Sequence, residues 1–188
     1  MSAEATLARV MAALGRAGIP SMLTGSLAAA IHGHPHATQN IDIVIEATAE
    51  QLHDLAAALE GDDIFFDLGS ALDACAKRSM TNLLDNATGW KVDLIFRKSR
   101  AFSRSEFGRR VATAIDGIPL HVASIEDLVL AKLKWAKDGE SARQIEDVAH
   151  LLAGQPSVDV VYLERWLDEL GVRSQWREAC RLAGRVID

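Results

Sequence analysis

Two neighbouring stretches decide the fold: Leu23-Thr24-Gly25-Ser26-Leu27-Ala28-Ala29-Ala30-Ile31-His32-Gly33 and, after a short loop, Asn40-Ile41-Asp42-Ile43-Val44-Ile45. An apolar strand runs into Gly25-Ser26, a helix is expected to open on Ser26 as its N-cap, and a second strand follows. Alternate residues of a strand share a face, so Asn40 and Asp42 point one way while Ile41 and Ile43 point the other. Gly25 lets the backbone come close to a ligand, and a helix N-terminus offers free amides and partial positive charge to a phosphate. Taken alone, Gly-Ser before a helix is also ordinary capping. Asp93 interrupts another apolar strand-like run, Lys91-Val92-Asp93-Leu94-Ile95-Phe96. A buried carboxylate is costly without a partner, so Asp93 is either salt-bridged to nearby basic residues or part of a site.

The chain has 188 residues, 49% of them hydrophobic and 24% charged, which is ordinary globular composition and suits one α/β domain with a helical extension. No apolar run is long enough to span a bilayer and the start, Met1-Ser2-Ala3-Glu4, is acidic, so a soluble cytoplasmic protein with no membrane partner is expected. Cys75 and Cys180 are far apart and lie in helix-like segments, which reads as packing rather than a disulfide or metal pair. A net charge of -6 argues against a broad nucleic-acid surface, yet Lys91, Arg97, Lys98, Arg100, Arg104, Arg109 and Arg110 crowd mid-chain. Those seven form either a solvated face or the place where a polyanion would dock.

Along the chain, Leu7, Val10, Met11 and Leu14 recur at helical spacing between Thr6 and Gly18, and Ser21-Met22-Leu23-Thr24 follows as the first strand. His32, His34 and His36 invite a zinc assignment, but no cysteine or second pair accompanies them. Thr48 caps a helix with Leu52, Leu55, Ala56 and Leu59 on one face. Ile64-Phe65-Phe66 reads as a short strand and Ser70 to Cys75 as a helical turn or two. Met80 to Asp85 and Trp90 to Phe96 form a hairpin around Asn86-Ala87-Thr88-Gly89, and Asp116-Gly117 marks a second hairpin between Arg109 and Val122. From Ser124 onward the pattern is helical, with turns at Gly139, Gly154-Gln155-Pro156 and Gly171. These helices carry Leu128, Leu130, Leu133 and Trp135; Ile145, Val148, Leu151 and Leu152; Val161, Leu163, Trp166, Leu167 and Leu170; and Trp176, Cys180, Leu182 and Val186.

Gly-Ser, a strand pair at i and i+2, and a lone strand aspartate together resemble the nucleotidyltransferase fold shared by DNA polymerase beta and the AbiEii-type toxins. The segments 124–135 and 141–147 resemble the helical pair that follows the catalytic sheet in AbiEii-like proteins. The resemblance implies an α/β (α+β) fold, a mixed β-sheet flanked by helices with a C-terminal helical bundle, divided into a catalytic domain over 1–122 and a helical subdomain over 123–188. It implies transfer of a nucleoside monophosphate from a nucleoside triphosphate to an RNA, protein or small-molecule hydroxyl. Gly25 and Ser26 would hold phosphates, Asp42, Asp93 and Lys132 would be catalytic, Asp42 and Asp93 would bind Mg2+ with Asn40, and Lys132, Arg143 and Asp147 would approach the nucleotide. A tRNA-like acceptor or a cognate antitoxin would be the partner. For Lys132 and Asp147 a helix-to-helix salt bridge is an equal alternative.

The chain departs from the family pattern where Asn40 replaces the first aspartate and His36 an arginine. Asparagine offers one carbonyl oxygen and no charge, so a two-ion Mg2+ site would be weakened. Glu46 or Asp147 could complete it. Otherwise the protein binds nucleotide or RNA ends without turnover, or serves as a protein-interaction module.

Overall fold

The computed structural model describes residues 3–35, 37–154 and 157–185, so His36, Gln155, Pro156 and Val186 lie outside the described residues. The chain separates into two compact units, one formed by 1–27 and 37–123, the other by 28–36 and 124–188.

The first unit is built on a seven-stranded mixed sheet in the order β3-β4-β5-β2-β1-β7-β6. Its strands are β1 (Ser21–Thr24), β2 (Asn40–Ile45), β3 (Ile64–Phe66), β4 (Met80–Asp85), β5 (Lys91–Phe96), β6 (Val111–Ile115) and β7 (Ile118–Val122). Strand β1 runs antiparallel to β2 and parallel to β7, and β2 runs parallel to β5. The remaining neighbours are antiparallel, β4–β5 and β6–β7 as hairpins and β3–β4 across an intervening helix. On β2, Ile41, Ile43 and Ile45 are wholly buried, while Asn40 and Asp42 on the opposite face are half-buried. Alternation on β5 buries Val92, Leu94 and Phe96 in the same layer. The β6–β7 hairpin turns on Asp116 and Gly117, both at positive φ (48° and 81°), the backbone that Asp-Gly favours.

Helix α1 (Ala3–Arg16) buries Thr6, Leu7, Val10, Ala13 and Leu14. Helix α2 (Gly25–Ile31) leaves β1 directly. Helix α3 (Ala49–Ala58) opens on a capping box in which Thr48 and Gln51 satisfy each other's backbone amides. Helix α4 (Leu68–Lys77), capped by Asp67, is longer than the one or two turns expected. Helix α5 (Ala101–Gly108) falls in the basic middle segment and buries Phe102, Ser103, Glu106 and Phe107. Its sequence hides it, because Arg100 supplies no side-chain cap and arginines mask a short apolar stripe.

The second unit contains α6 (Ile125–Gly139), α7 (Ala142–Gly154), α8 (Val160–Leu170) and α9 (Arg173–Leu182). Ser124 caps α6 and Asp159 caps α8, and Gly171 ends α8 at a positive φ of 63°. Leu128, Leu133, Val148, Leu151, Leu152, Leu163, Leu167 and Trp176 form the core between them. Three residues of the expected helical pattern face outward instead: Trp135, Val161 and Leu182 are 64%, 83% and 47% exposed. Asp127 is wholly buried, accepting from Ser124 Oγ at 2.7 Å and from Tyr162 Oη at 2.5 Å, and so ties α8 to the start of α6. Among the described residues there are nine helices, none of them long and apolar enough to cross a membrane.

Candidate active site

Parallel pairing of β2 with β5 sets Asn40 opposite Lys91 and Asp42 opposite Asp93. Paired residues share a face, so four polar side chains meet on one patch of sheet. The polar row extends to both sides, because Thr24 of β1 is in register with Asp42 and Asn82 of β4 with Asp93. The strand alternation of Asn40 and Asp42 was legible in the sequence, as was the spacing of Lys91 from Asp93. Thr24 and Asn82 enter only through register, which depends on strands far apart in the chain.

The Asn40 amide holds the two carboxylates together. Its Nδ2 donates to Asp42 Oδ1 at 2.9 Å and to Asp93 Oδ2 at 3.2 Å, while its Oδ1 accepts from Thr38 Oγ1 at 3.1 Å. To act as a metal ligand, this amide would have to turn over and present oxygen where it now presents nitrogen. Asp93 is only 6% exposed, and its Oδ1 accepts no hydrogen bond; Lys91 Nζ lies 2.8 Å from that oxygen as an ion-pair partner. Asp93 is therefore salt-bridged, one of the two expectations for it, and it lies in register with Asp42.

Gly25 belongs to this unit and has a φ of +67°. A Cβ built there would stand 2.8 Å from Asp42 Cγ, so only glycine admits the Asp42 carboxylate against the β1–α2 turn. Helix α2 begins at this glycine, which puts Ser26 inside the first turn instead of at the N-cap. The left-handed φ of Gly25 makes the bend that a capping serine had been expected to make.

Glu46 does not complete the site. It follows the far end of β2, about 13 Å of strand from Asp42, and is ion-paired with Arg97. A hydrogen bond from Arg97 is the chief cause of its carboxyl being held below the usual range, against burial that pushes it up.

Lys132 and Asp147 lie in the second unit, where Lys132 Nζ donates to Asp147 Oδ2 at 2.6 Å and to Gln144 Oε1 at 3.3 Å. Both are buried. His34 Nε2 is 3.9 Å from the other Asp147 oxygen, and the His34 ring stacks on His150 with centroids 4.8 Å apart. Arg143 is exposed on α7.

Among the described residues no group of three or more His, Cys, Asp or Glu side chains is arranged to hold a metal. Mg2+, however, ordinarily takes one or two carboxylates and completes its shell with water and substrate phosphates. Two aspartates in register on adjacent strands, facing one side of the sheet, fit one such ion.

The mixed sheet flanked by helices is of the nucleotidyltransferase type, as the sequence resemblance implied. Two solved structures share it. The antibiotic-resistance factor ANT(2'')-Ia aligns with a TM-score of 0.50 and 14% identity, over 98% of this chain and 91% of that one. JHP933 from Helicobacter pylori aligns with a TM-score of 0.50 and 18% identity, over 96% and 87%. At these identities the likeness is one of fold. No protein-family model and no curated protein sequence matches the chain.

Proposed function

We propose that the protein is a nucleotidyltransferase that moves a nucleoside monophosphate from a nucleoside triphosphate to an acceptor hydroxyl. The observation that carries this reading is the pairing of Asp42 with Asp93 across two parallel strands beside Gly25. Burying two carboxylates together is unfavourable for folding alone, and a site that binds a cation with a triphosphate explains why they are kept.

Asp42 and Asp93 would hold Mg2+, which when bound supplies charge that offsets the triphosphate and the leaving pyrophosphate. Gly25 and Ser26 would take phosphate oxygens at the β1–α2 turn, as the resemblance implies. In the transfer, the acceptor oxygen bonds to the α-phosphorus, the bond to the β-phosphate oxygen breaks, and pyrophosphate leaves. Asp93 would stand closest to the acceptor hydroxyl, as the resemblance implies. The acceptor remains RNA, protein or a small molecule. An RNA such as tRNA would be steered by the basic middle segment, although Arg97 is paired with Glu46, Arg100 Nε with Ser103 Oγ, and Arg104 with the Ser99 carbonyl. The toxin or antitoxin partnership of the AbiEii-like proteins is part of the same proposal.

A second reading has an observation of its own. Asn40 already donates to both carboxylates and Lys91 is ion-paired with one of them, which suits a nucleotide-binding or interaction protein without turnover. Calorimetry separates the two, using several nucleoside triphosphates with and without Mg2+ on the native protein and on Asp42→Ala. Binding that needs both Mg2+ and Asp42 is expected. Binding indifferent to both supports the silent reading, and no binding at all supports an interaction module.

A further inference from the structure

We infer that the carboxylate site accommodates a single divalent cation, with the Lys91 ammonium standing where a second cation would otherwise balance Asp93. The inference rests on the transferase reading above and deepens it.

Two cations a few ångströms apart need a bridging carboxylate and oxygen ligands on both outer sides. Here the outer position on β2 is Asn40, whose Nδ2 donates to Asp42 and Asp93 and whose Oδ1 is committed to Thr38. A donor has replaced an acceptor. The two oxygens of Asp93 are divided between two partners, Oδ2 taking the Asn40 amide and Oδ1 facing Lys91 Nζ at 2.8 Å. A second divalent ion on Oδ1 would have to share that oxygen with the Lys91 ammonium, and like charges at such range repel where Asp93 is 6% exposed.

The strand places Lys91 there. It precedes Asp93 by two residues on β5, so both point to the same face, and it is in register with Asn40 on β2. Its side chain is 45% exposed, so the ammonium reaches Asp93 along the sheet surface without being locked in the core. The loss of one negative charge at Asn40 and the presence of one positive charge at Lys91 thus act in the same direction, each lowering the need for a second ion. Lys91 is a positioning residue, acting through Asp93.

The test is a metal count on the full chain, by equilibrium dialysis against Mn2+ and adenosine α,β-methylene triphosphate, which resists transfer. One Mn2+ per chain is expected for the native protein, for Lys91→Arg and for Asn40→Asp alone. The double variant Asn40→Asp/Lys91→Met, with the third carboxylate restored and the ammonium removed, is expected to retain two. Two ions on the native protein overturn the inference and leave the transferase reading standing. One ion on a folded double variant overturns the role of Lys91, as do two on Asn40→Asp alone, a measurement that serves if the double variant does not fold. Retention of neither Mn2+ nor the nucleotide by the native protein overturns both this inference and the transferase reading.

Discussion

Asp85 and Asp93 sit on the two strands of one hairpin and are 0% and 6% exposed, yet their surroundings differ completely. Asp85 faces the layer beneath α1, where Thr6 Oγ1 donates at 2.5 Å, Arg9 forms an ion pair, and the backbone amides of Ala87 and Thr88 donate at 3.0 and 3.3 Å. Every lone pair that matters is used. Asp93 faces the other side of the sheet with one 3.2 Å amide bond, one half-exposed lysine, and an oxygen that accepts no hydrogen bond. A buried aspartate that is fully satisfied pins the chain, here α1 to the β4–β5 loop. One left incompletely satisfied adds little to stability, as the proposed site requires of Asp93.

If that contrast is sound, the two residues should respond oppositely to substitution. Asp85→Ala leaves Arg9 without its anion and two amides without an acceptor, and should cost about 3–5 kcal/mol. In a domain of this size the melting temperature would fall by roughly 10 °C. Asp93→Asn should change stability by less than about 1 kcal/mol while abolishing metal-dependent nucleotide binding. Equal losses of stability would erase the distinction. Acid adds a second measure. Burial pushes the Asp85 carboxyl up, but hydrogen bonds from Thr6, Arg9 and Thr88 outweigh it and hold it below its ordinary 3.8. A lowered folded value means the contribution of Asp85 is present above about pH 4 and is lost as pH falls through its folded value. Asp85→Asn should therefore flatten the acid limb of stability between pH 4 and the lower end, followed by circular dichroism.

The Lys132–Asp147 pair of the second unit sharpens the same comparison. Both partners are buried and bonded at 2.6 Å, so Lys132→Met strands a carboxylate and should cost about 3 kcal/mol. Lys132→Met/Asp147→Leu should recover most of that in denaturant melts. If the double variant is stable and still binds nucleotide, the pair is structural; if it is stable and does not, Lys132 serves the nucleotide. The smallest effect is at Asn40. Asn40→Asp supplies a carboxylate in place of an amide and should tighten Mg2+ by about tenfold in calorimetry. Weaker binding would mean that the amide bridge between Asp42 and Asp93 organises the site more than its missing charge weakens it.

Much of this was legible in one dimension because it is local. The cap at Thr48, the Asp116-Gly117 turn, and the common face of Asn40 and Asp42 follow from spacing and side-chain chemistry within a few residues. Helix α5 escaped because its buried Phe102 and Phe107 are spread among arginines and serines. Ser26 misled because a serine beside a helix start reads as a cap, whereas the turn was made by the positive φ of Gly25. Glu46 looked available by composition, but its place past the far end of β2 and its pairing with Arg97 remove it.

Periodicity and turn chemistry thus settled by themselves all seven strands and most of the helices, α5 excepted, and that Asp42 and Asp93 would each interrupt an apolar strand. Only the folded chain decided that these two carboxylates lie side by side, that Asn40 meets them with nitrogen instead of oxygen, and that Lys91 caps the remaining oxygen of Asp93. The reason is physical. Local preferences act over a few residues, whereas strand register and the orientation of an amide are set by partners about 50 residues away, brought close only when the sheet closes.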